Sequence, residues 1–238
     1  MLILLDIDGT LLHGSPRAHT EALVGAMSEI HGASVGIEDV AAVRPGGRTD
    51  QEIVRLVLGA AGVSRREIDR GMAAVVASAA LRYPAAQAGS PPRAAPDAAR
   101  ALERLARAGV TLALLTGNLE PIARAKMAHV GLAGFFPVGE GAFGSDDERR
   151  DALVPVAIAR ARATSRCAEP AVVVGDTPRD VTCARAGGAR CVAVTTGSHP
   201  AADLRDADAV VSDLSAAADV ILGWRVDRYP SSARRTAS

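Results

Sequence analysis

Lysine is almost missing from this 238-residue chain: of its 27 basic residues, only Lys126 is not an arginine. Aromatic residues make up 3%, and 27 acidic groups bring the formal net charge to zero. Nucleic-acid binding needs a basic stripe with stacking aromatics, so that class of partner is excluded. The three cysteines, Cys167, Cys183 and Cys191, have no C-x-x-C spacing. They are expected to be reduced packing thiols, not a disulfide framework or a zinc site. Spanning a membrane takes roughly 20 consecutive apolar residues. The apolar start of the chain is broken at Asp6. Neither a signal peptide nor a membrane span is expected, and the expected location is cytoplasmic.

The composition that remains, 48% apolar against 23% charged, is that of a globular protein with a large core. Leu2–Leu5, 110–116, 171–175, 191–196 and 209–211 are continuous apolar runs of the kind found in buried parallel strands. Helical spacing occupies 95–108, 120–129, 152–164, 178–186 and 214–222. This alternation predicts a doubly wound, Rossmann-like parallel α/β sheet. Residues 16–88 break it, with helical patterns at 20–31, 49–58 and 64–83 and no convincing strand. Thr49-x-x-Glu52 and Ser64-x-x-Glu67 read as capping boxes, and Pro84 as the start of the return to the sheet. The expected organisation is an α/β core of residues 1–15 and 89–222, an inserted all-helical cap of 16–88, and a disordered tail of 223–238.

In an open α/β sheet, ligands bind beyond the carboxyl ends of the strands. Three such ends carry polar sequence: D-I-D-G-T at 6–10, T-G-N at 116–118 and G-D-T-P-R-D at 175–180. Side chains two apart on a strand share a face, so Asp6 and Asp8 start out side by side. Two adjacent carboxylates repel unless a cation sits there or one holds a proton.

This combination resembles the haloacid dehalogenase-like superfamily, and more narrowly its phosphoglycolate-phosphatase-like members with a helical cap after the first motif. The resemblance covers residues 1 to about 222. It implies a Mg²⁺-dependent phosphomonoester hydrolase acting on a small phosphorylated metabolite through an aspartyl-phosphate. Asp6 would be the nucleophile and Asp8 the general acid and base. Mg²⁺ would be held by Asp6, the backbone carbonyl of Asp8, Asp176 and Asp180. Thr116, Gly117 and Asn118 would bind phosphoryl oxygens at a helix start. Two readings stand for Thr116, which also suits an ordinary helix cap, and for Asp180, which also suits a capping acid.

Most superfamily members supply a lysine near the nucleophile. Lys126, well along the helix after T-G-N, is expected to be remote from the strand ends. Arg150, ahead of Asp151-Ala152-Leu153, is chosen for that role over Arg149. Arg48, presented by the turn R-P-G-G-R-T-D, is expected to contact an anionic or polar part of the substrate. It also reads as an exposed arginine at a helix start. His13, His19, His31, His129 and His199 show no metal spacing and receive no role.

Asp8 and Asp176 argue against a metal-independent dehalogenase, and the lysine-free cap argues against a phosphonatase. A phosphosugar mutase shares the same core motifs. A non-catalytic binding protein on this scaffold is the rival of a different class. A monomer or homodimer is expected, with no nucleic acid or membrane partner.

Overall fold

The computed structural model describes residues 1–14, 17–164 and 169–228, with side chains as far as Trp224. Cys167, Ser15 and Pro16 at the expected cap boundary, and residues 229–238 lie outside it.

The chain begins with β1 (Leu2–Leu5), continues into β2 (Leu12–His13), and then makes four helices: α1 (Arg17–His31), α2 (Ile37–Ala42), α3 (Asp50–Ala60) and α4 (Arg65–Gly89). It returns through β3 (Arg93–Ala94), α5 (Ala98–Arg107), β4 (Thr111–Leu114) and α6 (Glu120–His129). The remaining elements are α7 (Leu153–Ala163), β5 (Ala171–Gly175), α8 (Pro178–Ala186), β6 (Arg190–Val194), β7 (Ala209–Val211) and α9 (Leu214–Arg228).

Five strands form one parallel sheet in the order β4-β1-β5-β6-β7. β1 is apolar at every position because both of its faces are covered. Ile3 and Leu5 pack with α5 and α9, whereas Leu2 and Leu4 pack with α7 and α8. β1 lies between β4 and β5, with Leu5 paired to Leu114 on one side and Val174 on the other. Three consecutive strand ends are thereby brought together, those that lead into Asp6, Thr116 and Asp176.

The helices α1–α4 build a second core in which Leu23, Met27, Val57, Leu58, Ile68 and Val75 meet. Leu119 and Ile122, at the start of α6 in the sheet layer, belong to the same cluster. The two crossings between the layers pair with each other, Leu12 with Ala94 and His13 with Arg93.

Three sequence expectations change. α4 runs through Pro84 to Gly89, although proline removes a helical hydrogen bond and disfavours a helix interior. Tyr83 and Gln87, on either side of it, are both buried and hold this end of the helix against the core. α2 had no sequence signal, since six residues are too few to show a period. Its first turn is closed by Asp39, which accepts the Gly36 N–H at 2.8 Å. Finally, α9 continues to Arg228, so the segment expected to be disordered from 223 begins as helix.

The cap is docked on the sheet layer through the start of α3. The Asp50 N–H donates to the Gly117 carbonyl at 2.8 Å, and Gln51 Nε2 donates to that of Gly144 at 2.8 Å. Thr49, whose hydroxyl accepts the Glu52 N–H, also donates to the Glu148 carbonyl at 2.5 Å. A Cβ on Gly117 would lie 1.9 Å from the Arg48 carbonyl oxygen. Backbone against backbone cannot yield as a flexible side chain does, so only glycine permits this approach. Gly117→Ala should therefore lift the cap, which small-angle scattering would register as a larger radius of gyration. An unchanged radius would show that the contact does not hold the layers together.

Candidate active site

A cavity of about 450 Å³ opens where the cap covers the strand ends, with Asp6, Asp8, Asp176, Asn118 and Arg150 in its core wall. Asp6 continues β1 by donating its N–H to the Val174 carbonyl at 2.9 Å. Asp6 is 5% exposed, and its Oδ1 accepts a bond from Arg150 Nη2 at 2.9 Å. The same nitrogen bonds Asp180 Oδ1. Arg150 is buried, while its neighbour Arg149 has a side chain 75% exposed and turns to Asp147.

Asp176 accepts from the Thr10 hydroxyl at 3.3 Å. It sits against Gly9, whose φ of +87° and lack of a side chain make room for it: a Cβ there would stand 2.3 Å from Asp176 Oδ2. Asp180 is fully buried, and its Oδ2 closes the first turn of α8 by accepting from the Thr177 N–H at 3.0 Å and hydroxyl at 2.7 Å. Asp180 is a capping acid that also stands beside the other two carboxylates.

Asp6, Asp176 and Asp180 offer oxygens that all lie within 4.8 Å of one another. Burial, then the neighbouring Asp180 and Asp8, outweigh Arg150 and push Asp6 up to about 7. Burial, then Asp6 and Asp180, push Asp176 up to about 8. When all three carboxylates ionise, the one guanidinium leaves two negative charges uncompensated. An all-oxygen donor set with that deficit fits a hard divalent cation.

Asp8 belongs to a different network. Lys126 Nζ reaches both of its oxygens, at 2.8 and 2.6 Å, and donates to Asn118 Oδ1 at 2.6 Å and His19 Nδ1 at 3.2 Å. The expectation that Lys126 is remote is wrong. It stands six residues into α6, about 9 Å along the axis, but helical side chains lean toward the N-terminus and a lysine spans most of that gap. Its register with Ile122 and Ala123 on the buried face of α6 was the available signal.

His19, given no role from sequence, is 6% exposed. Its Nδ1 stands 3.2 Å from Lys126 Nζ and its Nε2 2.8 Å from Asp50 Oδ2. Asp50 also accepts the Leu119 N–H at 2.7 Å. One chain of contacts thus runs from Asp8 through Lys126 and His19 to the cap. Burial pushes Asp8 up, but Lys126 and the bond from Asn118 outweigh it and hold the carboxyl below its ordinary range.

The T-G-N residues divide. Gly117 and Asn118 line the cavity, and Asn118 Nδ2 donates to Asp8 at 3.0 Å. Thr116 is fully buried and does not line it; its hydroxyl accepts the Asn118 N–H at 3.2 Å. That amide is therefore committed to the turn. Arg48 borders the cavity, yet its guanidinium pairs with Glu52 and its Nε donates to the Val43 carbonyl at 3.0 Å.

The geometry can be set beside known proteins. A family model described as haloacid dehalogenase-like hydrolase matches residues 1–188. No curated protein matches the sequence. Among solved structures, one described as a predicted phosphatase from Clostridium acetobutylicum is similar at 16% identity and a TM-score of 0.67, covering 93% of this chain and 98% of its own. A CbbY mutant from Rhodobacter sphaeroides, in complex with xylulose-(1,5)bisphosphate, is similar at 19% identity and a TM-score of 0.66, with 90% and 94% covered. A haloacid dehalogenase-like family protein from Streptococcus pneumoniae aligns at 18% identity and a TM-score of 0.62, with 94% and 97% covered. At these identities the structures speak for the fold alone.

The acidic cluster sets a pH dependence. Asp6 and Asp176 hold their protons above the ordinary carboxylate value of 3.8. Between about pH 4 and 8 these two groups hold more protons in the metal-free folded protein than in the unfolded chain, so their contribution to stability falls as pH rises through that window. A divalent ion relieves the repulsion. Adding Mg²⁺ to chelator-treated protein should raise Tm more at pH 8 than at pH 6, and an equal shift at both would contradict this account. Lys126→Met leaves the buried Asn118 and His19 and the part-exposed Asp8 without their shared cation and should cost about 1–3 kcal/mol in chemical denaturation. Adding Asp8→Asn should recover part of that loss. A cost below about 1 kcal/mol, the range of a surface ion pair, would mean that the network is not formed.

Proposed function

Because the chain belongs to the haloacid dehalogenase-like hydrolase family, we propose that it hydrolyses the phosphomonoester of a small phosphorylated metabolite through an aspartyl-phosphate on Asp6. The observation that carries this reading is the division of labour between two aspartates on one strand end. Asp6 faces Arg150 and the acidic cluster, while Asp8 faces Lys126 and Asn118. One group is thus set apart for nucleophilic attack and the other for proton transfer.

In the first half, a carboxylate oxygen of Asp6 forms a bond to phosphorus as the bond to the leaving oxygen breaks. Arg150 holds Asp6 Oδ1 and so orients the attacking group, and it supplies a fixed positive charge as negative charge gathers on the phosphoryl oxygens. Asp8 gives a proton to the departing oxygen. Lys126 favours the carboxylate form of Asp8, and an arriving phosphate dianion opposes that pull. In the second half, Asp8 takes a proton from water as the water oxygen bonds to phosphorus, releasing phosphate and regenerating the Asp6 carboxylate. The carboxylate form that Lys126 stabilises suits this half. The Gly117 backbone and Asn118 complete the core wall beside the phosphoryl group.

Asp6, Asp176, Asp180 and the Asp8 carbonyl would hold Mg²⁺. Bound there, the ion offsets the charge of the carboxylates and of the transferring phosphoryl group.

Asp6→Asn should reduce phosphatase activity on para-nitrophenyl phosphate by more than about a thousandfold, since an amide is a far poorer nucleophile. Removing one of three crowded carboxylates should leave the fold intact by circular dichroism. In wild-type protein quenched during turnover, peptide mass spectrometry should place the phosphate on Asp6. Phosphate on another residue, or activity in the Asn variant, would refute the assignment.

A further inference from the structure

The three carboxylates of the acidic cluster are held in place by unequal means. Asp6 is bonded by Arg150 at 2.9 Å, and Asp180 by the Thr177 N–H and hydroxyl at 3.0 and 2.7 Å. Among the described residues, the carboxyl group of Asp176 has a single hydrogen bond, from the Thr10 hydroxyl to Oδ1 at 3.3 Å. Bare backbone surrounds the rest of the group. A Cβ on Gly9 would lie 2.3, 2.6 and 2.8 Å from Oδ2, Cγ and Oδ1, so this glycine faces the flat of the carboxylate. A Cβ on Gly197 would lie 1.7 Å from Oδ2 and 2.5 Å from Cγ, so Gly197 closes the Oδ2 edge. Gly9 is needed for its φ of +87° in any case. Gly197 is not among the residues with positive φ, and its backbone alone would accept alanine. The demand for glycine at 197 comes from the carboxylate.

We propose that Gly197 and Thr196, in the loop after β6, are positioning residues for the Asp176 carboxylate and set the preference of the site for a small cation over a large one. The inference rests on the reading above that Asp6, Asp176 and Asp180 hold a divalent ion. The Thr196 hydroxyl donates to the Gly9 carbonyl at 2.6 Å. That bond ties the loop after β6 to the loop after β1 and fixes the width of the slot between the two glycines. An aspartate side chain is too short to swing its carboxyl group out of a clash while its backbone stays at the end of β5. A methyl group at 197 must therefore displace Oδ2. The displacement matters differently to different ions. Mg²⁺ requires near-octahedral oxygens at about 2.0–2.1 Å, whereas Ca²⁺ accepts about six to eight at about 2.3–2.6 Å in flexible arrangements. A carboxylate held by Thr10 at one oxygen and by glycine at its face and other edge suits the stricter ion. Moving it penalises that ion more.

Isothermal titration calorimetry of the chelator-treated full chain, with Mg²⁺ and separately with Ca²⁺, tests this without turnover. Gly197→Ala should raise the Kd for Mg²⁺ at least about tenfold, the range found for residues that orient metal ligands. Its Kd for Ca²⁺ should rise less than about threefold, so that the ratio of the two constants moves toward the larger ion. Thr196→Val removes the tie to Gly9 and should move the ratio the same way by about threefold, the worth of one hydrogen bond. Gly134→Ala adds a methyl where nothing lies within 4 Å and should leave both constants unchanged. Circular dichroism of the metal-free variants on heating reports whether each one folds. A Mg²⁺ constant in Gly197→Ala within about threefold of wild type, a change too small for a displaced ligand, would overturn the inference. So would an equal loss for both ions, which marks a site spoiled as a whole. If Gly197→Ala does not fold, Thr196→Val decides, and an unchanged ratio there overturns the inference. A wild-type chain that binds neither ion would instead bring down the reading of the acidic cluster as a cation site.

Discussion

Everything at this site depends on keeping apart two carboxylates that the strand places side by side. Asp6 and Asp8 leave β1 toward the same end of the sheet, and the fold separates them with two buried cations on different helical segments. Arg150 takes Asp6 and ties it to Asp180. Lys126 takes Asp8 and ties it to Asn118 and His19. Each cation sits where an unpaired charge would be very costly, so each enforces the position of its partner. The side of the pair that faces Asp176 keeps an excess of negative charge, and the side that faces the cap does not.

That asymmetry connects the layers. Asp50 caps nothing within its own helix; it accepts from Leu119 of the sheet layer and from His19 of the cap. Tyr83 meets His19 edge-on, with ring centroids 6.2 Å apart. Through His19 the cap touches the Asp8 network, and opening it takes the imidazole away from Lys126. Arg48, by contrast, spends its charge on Glu52 four residues along the same helix start.

The sheet and the acidic cluster are legible in the sequence because both depend on short-range order. A continuous apolar run says that a strand is buried on both faces, and D-x-D and G-D-T-P-R-D name the strand ends that an open sheet must collect. Arg150 is legible because a fixed distance from β5 brings it back to β1. Lys126 is not, since counting turns from the start of a helix ignores the reach and backward lean of the side chain. Its solitary place among arginines, on a helix face shared with Ile122, carries that information in retrospect. The Arg48–Glu52 pair lies at i, i+4 and was readable. The partners of His19 and Asp50, 31 residues apart, exist only through packing. Pro84 misleads because a proline's local preference yields to the burial of Tyr83 and Gln87 around it.

The placement of β1 and α6 also governs how the chain comes off the ribosome. β1 is made first, yet its two neighbours are β4 and β5, and β5 ends at Gly175. The cap helices follow early, but their apolar core is completed by Leu119 and Ile122, made after all four of them. Neither layer can close its core on the residues synthesised up to that point. During synthesis β1 lacks its second neighbour until β5 has emerged, and the helical bundle stays half-covered until the start of α6 has. An apolar strand with one open edge is a template for pairing with other chains, so α6 and β5 are the segments that remove that hazard.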